Sequence, residues 1–205
     1  MKDIYDLRSI VDTKSFPWDE MSIGIARSIK RASIFYGHDS TESNLTTEQQ
    51  VWHNAIIAGK PLKGLDILLT QAKTWHDAWY KLGHADHWTP TVNMQYFPRL
   101  QQWLKENNIF KEIGRQILFI QLQNTSTPRH VDEDLNNAPE EHRRPMEFIW
   151  ITADRLGKRL FVDDVEAPHI TWFNSYIEHY TLPEPGLRWS IRIDGQFTEE
   201  FKNKL

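Results

Sequence analysis

The sequence predicts a mainly β chain with N-terminal helices, an α+β arrangement in which a sandwich or barrel of short strands carries a helical cover on one face. Three observations predict it. After about residue 112 the spacing of apolar residues shifts from near four to two. Several short runs rich in β-branched and aromatic residues follow, separated by turn signals. At the end of the chain Leu187, Trp189, Ile191 and Ile193 alternate with Arg188, Ser190, Arg192 and Asp194, so a strand there presents an apolar and a polar face.

The elements follow in order. Residues 1–40 mix apolar and charged positions without a long period, and Phe16-Pro17-Trp18 and Gly37-His38-Asp39-Ser40 read as loop. Thr46-Thr47-Glu48-Gln49 looks like a helix start. Residues 64–80 carry Leu65, Leu68, Leu69, Ala72, Trp75 and Trp79 at helical spacing, which predicts an amphipathic helix. Residues 98–107 repeat that logic, with proline in the first turn and Leu100, Trp103 and Leu104 on one stripe. Strands are expected at 116–122, 147–152, 159–162 and 170–173, with a turn at 155–158, before the alternating segment. With no internal repeat and no low-complexity linker, residues 1–205 are expected to form one domain: a largely helical cover over 1–110 and a β core over 111–205.

Composition excludes several classes. The 205 residues are 40% apolar and 25% charged, with a mean hydropathy of -0.60. No stretch approaches the apolar run of a spanning helix, and residues 1–6 lack an apolar signal core, so a cytoplasmic chain with no membrane partner is expected. The absence of cysteine removes disulfides, zinc-thiolate sites and thiol nucleophiles. Twenty-four basic against 28 acidic residues, with no basic block, give no footprint for nucleic acid. Metal chemistry is left to Asp, Glu and nine histidines.

His130-Val131-Asp132 places an imidazole and a carboxylate two residues apart, on the same side of an extended chain, where both can hold one ion. A second such triplet, His84-Ala85-Asp86, lies in a segment that reads as helix terminus and loop, where local hydrogen bonds explain it. Only the first is followed by Phe173-Asn174-Ser175-Tyr176-Ile177-Glu178-His179 and then Arg188-Trp189-Ser190 on a strand.

In that order and spacing, from about Arg115 to Phe201, the sequence resembles the non-haem iron(II), 2-oxoglutarate-dependent oxygenases of the double-stranded β-helix fold, a jelly-roll or cupin-like barrel. The 173–179 stretch, the Arg188 strand and Asp194-Gly195-Gln196-Phe197 look most like the aspartyl/asparaginyl β-hydroxylase branch. That branch often lacks the carboxylate ligand, so Asp132 departs from it toward the general pattern. The resemblance implies that His130, Asp132 and His179 hold Fe(II), that Arg188 and Ser190 bind the distal carboxylate of 2-oxoglutarate, and that dioxygen is the oxidant. The implied activity hydroxylates an amino acid, a peptide side chain or another small molecule.

Rival readings stand beside these. Arg192 shares the face of Arg188 and competes as the 2-oxoglutarate anchor, and Arg143 and Arg144 are candidates for a contact with substrate or co-substrate. His169 is the nearest rival ligand, and Asn174 and Trp150 are candidate pocket residues. The acidic run 133–142 reads as a solvated connection or as a substrate mouth preferring cations. Two other functions compete: a cupin-like metal-binding or isomerase protein that needs neither 2-oxoglutarate nor Arg188, and an inactive β-helix interaction module. The sequence does not name the substrate or the oligomeric state.

Overall fold

The structure is a computed structural model that describes residues 3–30, 64–121, 126–132, 146–153, 157 and 159–205. The expected helix start at Thr46, the 133–142 run, Arg143 and Arg144 lie outside the described residues. The strands in chain order are β1 (Ile4–Asp6), β2 (Gly64–Leu68), β3 (Thr70–Ala72), β4 (Trp88–Pro90), β5 (Phe110–Gln121), β6 (Phe148–Thr152), β7 (Leu160–Val162), β8 (Val165–Glu166), β9 (Ile170–Phe173), β10 (His179–Thr181) and β11 (Arg188–Phe197). Among the described residues four α-helices accompany them: α1 (Trp18–Lys30), α2 (Trp75–Tyr80), α3 (Pro98–Glu106) and α4 (Glu199–Lys202).

All strand pairs are antiparallel among the described residues. A six-stranded sheet has the order β1-β9-β6-β11-β5-β2, and a smaller sheet runs β10-β7-β8. β3 and β4 pair separately. β7 and β8 form a hairpin whose two central residues, Asp163 and Asp164, have φ of 47° and 62°. A two-residue turn needs positive φ at both positions to match strand twist, and aspartate tolerates it better than most residues.

β11 is the central strand of the large sheet, held by β5 on one side and β6 on the other. Its apolar residues Trp189, Ile191 and Ile193 pair with Ile120, Leu118 and, across the other edge, Ile151 and Ile149. They join a core that includes Met21 and Ile25 of α1 and Leu100, Trp103 and Leu104 of α3. The helices therefore cover this face, with the Trp18 ring 6.3 Å from that of Trp189. α1 also caps α3. Phe97 offers no side-chain cap, and the Glu20 carboxylate instead accepts from the backbone N–H groups of Arg99 (2.9 Å) and Leu100 (2.8 Å).

One expectation is corrected. Residues 64–72 form β2 and β3 rather than the first half of a helix, and helix begins only at Trp75, after Thr74 accepts from the N–H of Asp77 at 3.1 Å. The four- and three-residue spacing of Leu65, Leu69 and Ala72 is compatible with a helix, but β2 pairs residue by residue with 117–121 of β5 and completes that edge. Long-range pairing overrides the local period. The other expected strands form, as does the 98–107 helix, while β1 and α1 arise in a segment that reads as irregular. No helix among the described residues is long and apolar enough to cross a membrane.

Candidate metal centre

Two short backbone connections bring the His-x-Asp triplet to the small sheet. His130 and His179 form an isolated antiparallel bridge, with N–H to O distances of 3.1 and 2.9 Å, and the N–H of Asp132 donates to the carbonyl of Ser175 at 3.0 Å. The segment around His130 thus runs beside β10. This places both imidazoles together, their ring centroids 4.3 Å apart.

Each ring is oriented by a carbonyl from its own chain. His130 Nδ1 lies 2.8 Å from the oxygen of Pro128, and His179 Nδ1 lies 2.9 Å from the oxygen of Ile177. A carbonyl only accepts, so Nδ1 carries the proton in both rings and Nε2 is left to the site. Both Nε2 atoms face one oxygen of Asp132: Oδ1 is 3.1 Å from His179 and 3.6 Å from His130. The three donor atoms lie within 4.8 Å of one another. Two imidazole nitrogens and a carboxylate oxygen in contact repel unless a proton or a cation lies between them, so the donor set fits a divalent ion of the kind that takes two histidines and one carboxylate.

Arg192 completes the surroundings. Its Nη1 donates to Asp132 Oδ2, and its Nε donates to Asp194 Oδ1 at 2.9 Å. Burial resists ionisation of Asp132, but the Arg192 charge and the two imidazoles outweigh it and hold the carboxyl well below the usual carboxylate range. The hydrogen bond with Asp132 raises the basicity of His130 against the opposing effect of burial.

Further along the polar face of β11 are Ser190 and Arg188, 0% and 2% exposed. The Nη groups of Arg188 are held by Gln121 Oε1 (3.2 Å), the carbonyl of Glu184 (3.2 Å) and Glu184 Oε2 (3.2 Å). Arg188 Nε, Ser190 Oγ and Trp150 Nε1 are buried without a hydrogen-bond partner. Such orphans cost about 1–3 kcal/mol each unless something else satisfies them, and three sit on adjoining strands of the same sheet.

The structure brings together His130, Asp132, His179 and Arg192, with Arg188 and Ser190 on the same strand face; it does not bring His169 to them. That ring lies 6.2 Å from Trp18, on the helical side. Asn174 closes the turn before β10, accepting from the N–H of Tyr176 at 3.2 Å. His84, Asp86 and Glu112 approach one another, but His84 and Asp86 are exposed and His84 Nδ1 is engaged by Gln196 Nε2 at 3.0 Å. Sequence reading did not single out Asp194 as a partner of Arg192, or Arg115, whose Nε donates to Asp194 Oδ2 at 2.8 Å. The available signal was their charge on strands, Asp194 on the polar face of the alternating segment and Arg115 beside the 116–122 strand. A cavity of about 430 Å³, lined among others by Met146, Glu147, Asp194, Gln196, Phe197 and Lys202, shares Met146 and Asp194 with the contacts of Arg192 but is lined by none of the three candidate ligands.

No protein-family model and no curated protein matches the sequence. Solved structures do show likeness. A prolyl hydroxylase from Trichoplax adhaerens, in complex with a hypoxia-inducible-factor peptide fragment, is 7% identical with a TM-score of 0.47, covering 98% of this chain and 84% of its own. A viral collagen prolyl hydroxylase from Paramecium Bursaria Chlorella virus-1, in complex with 2-oxoglutarate, is 8% identical with a TM-score of 0.39, over 71% of this chain and 86% of its own. An oxidoreductase of the 2OG-Fe(II) oxygenase family from Burkholderia pseudomallei is 12% identical with a TM-score of 0.38, over 85% and 88%.

Proposed function

We propose that the chain is a non-haem Fe(II), 2-oxoglutarate-dependent dioxygenase that hydroxylates an amino acid, a peptide side chain or another small molecule in the cytoplasm. The observation that carries this reading is the convergence of His130 Nε2, His179 Nε2 and Asp132 Oδ1, each imidazole fixed through Nδ1, beside a strand face that buries an arginine. The two sheets are then the walls of a double-stranded β-helix whose core strands lie in 111–205, with β1 and β2 extending the large sheet at its edges and α1 and α3 as its cover.

His130, Asp132 and His179 hold the iron, and three protein ligands leave the remaining positions of an octahedral ion to small molecules. When bound, iron and 2-oxoglutarate together supply dioxygen activation, with decarboxylation to succinate and removal of a hydrogen atom from the substrate. The chain's own residues do the binding and orienting. Arg188 and Ser190 take the distal carboxylate of 2-oxoglutarate, which satisfies the orphaned Nε and Oγ. For that, Glu184 leaves the guanidinium; Arg159, 3.5 Å away, is a second partner ready for it. Arg192 is already committed to two carboxylates, which favours Arg188 as the anchor.

Anaerobic addition of Fe(II) and then 2-oxoglutarate tests the reading. A weak visible charge-transfer band that appears only with both, followed by substrate-stimulated succinate release, is expected. Iron that binds with no response to 2-oxoglutarate makes the protein a cupin-like metal binder instead.

A further inference from the structure

Resting on the iron reading above, we infer that Arg192 is a positioning residue: it clamps the outer oxygen of Asp132 and so limits that carboxylate to one-oxygen coordination of the metal. The two oxygens of Asp132 have different neighbours. Oδ1 faces both imidazole Nε2 atoms, and Oδ2 accepts from Arg192 Nη1. A cation held by the imidazoles therefore meets Oδ1, and two-oxygen binding requires Oδ2 to leave a buried guanidinium.

The guanidinium itself has little freedom. Arg192 is 5% exposed. Its Nε is tied to Asp194 Oδ1 at 2.9 Å, its Nη2 contacts Met146 Sδ at 3.2 Å, and its Cζ lies 4.0 Å from the centroid of the Phe148 ring. Asp194 is fixed in turn by Arg115. Four charges of alternating sign, Arg115, Asp194, Arg192 and Asp132, thus form one line, buried at its two central members, that ends at the metal ligands. Strand alternation explains how one element supplies two arginines with different tasks. Arg188 and Arg192 share a face, but Arg192 pairs across to Trp150 and Ile117, level with Asp132, whereas Arg188 pairs with Gln121, four positions further toward the co-substrate end. A carboxylate kept to one oxygen leaves one more metal position open for the keto acid and dioxygen than a two-oxygen carboxylate does.

Mn2+-loaded protein tests the inference through the number of exchangeable waters, read by water-proton relaxation, with 2-oxoglutarate affinity measured alongside. The wild type is expected to keep about three waters, the positions left by three ligands on an octahedral ion. Arg192→Met frees Oδ2 and is expected to keep about two, with 2-oxoglutarate binding weakened about 10- to 100-fold, the usual range for loss of a residue that orients a ligand. If the methionine variant does not fold, Arg192→Lys carries the test: its ammonium lacks the fork that engages both carboxylates, so water count and 2-oxoglutarate affinity fall part of the way. An unchanged water count and affinity in a folded variant overturns the inference and leaves the iron reading intact. A folded variant that loses Mn2+ outright also overturns it, since three ligands should remain. A wild type that binds no Mn2+ overturns both.

Discussion

On one side of β11, Trp189, Ile191 and Ile193 pack against strands and helices; on the other, Arg188, Ser190, Arg192 and Asp194 are just as deeply buried but polar. The apolar face gains from leaving water and has its contacts complete within the protein. The polar face is satisfied only where charges meet. Arg192 and Asp194 have partners, while Arg188 Nε and Ser190 Oγ do not. One strand thus shows what folding alone requires and what it does not. Under the proposed function, the incomplete hydrogen bonds of Arg188 and Ser190 are the ones the co-substrate would complete.

Substitutions on the two faces should separate stability from binding. The largest effect belongs to the apolar face. Trp189→Ala, which empties a site 3% exposed, is expected to destabilise by about 3–5 kcal/mol. At about 2–4 °C per kcal/mol for a chain of this size, the melting temperature falls by roughly 6–20 °C. Mn2+ affinity measured well below the transition should stay at the wild-type value; a parallel loss of metal would join the two faces that the structure separates.

His179→Ala reverses the pattern. Metal affinity should drop more than about 100-fold, beyond what loss of an orienting neighbour does, with a smaller change in melting temperature than Trp189→Ala. Retained Mn2+ in this variant would remove the metal centre.

Arg188→Ala should leave Mn2+ binding intact and weaken 2-oxoglutarate about 30-fold, because an anionic carboxylate is left without its buried partner at a cost of about 2 kcal/mol. Arg188→Lys should recover part of it, since an ammonium cannot present the guanidinium fork. Calorimetric titration of both variants measures this, and unchanged affinity in Arg188→Ala beside a loss in Arg192→Ala would exchange the two assignments.

Ser190→Ala gives the smallest and most discriminating effect. Its hydroxyl has no partner, so removing it should leave stability unchanged or raise it by up to about 1 kcal/mol, while 2-oxoglutarate affinity falls roughly 3- to 10-fold. Lost stability with unchanged affinity would make Ser190 an ordinary structural residue.

Much of this was legible in the chain because it depends on local order. The alternation over 187–194 marks both faces of β11, and His130, Asp132, His179 and Arg188 keep an order and spacing that survive folding. Two kinds of information were not legible. Residues 64–72 carry a helix-compatible period, and only pairing with β5, some fifty residues further along, makes them strands. The part played by Arg192 depends on Asp132, 60 residues earlier, arriving at one oxygen rather than the other. No periodicity encodes that contact; its only trace is an arginine and an aspartate two residues apart on the polar face of the alternating strand. For α1 a signal was present: acidic Asp19 and Glu20 follow Pro17, and Met21, Ile25 and Ser28 fall on one buried stripe, but Gly24 and scattered charges blur it.

The most direct measurement is a calorimetric titration of 2-oxoglutarate into Mn2+-loaded and metal-free protein, side by side with Mn2+-loaded Arg188→Ala. A centre built from His130, Asp132, His179 and Arg188 predicts one co-substrate bound per chain in the loaded wild type, with affinity lost when either the metal or the Arg188 guanidinium is removed. Equal binding with and without metal, or no binding in either, would contradict it.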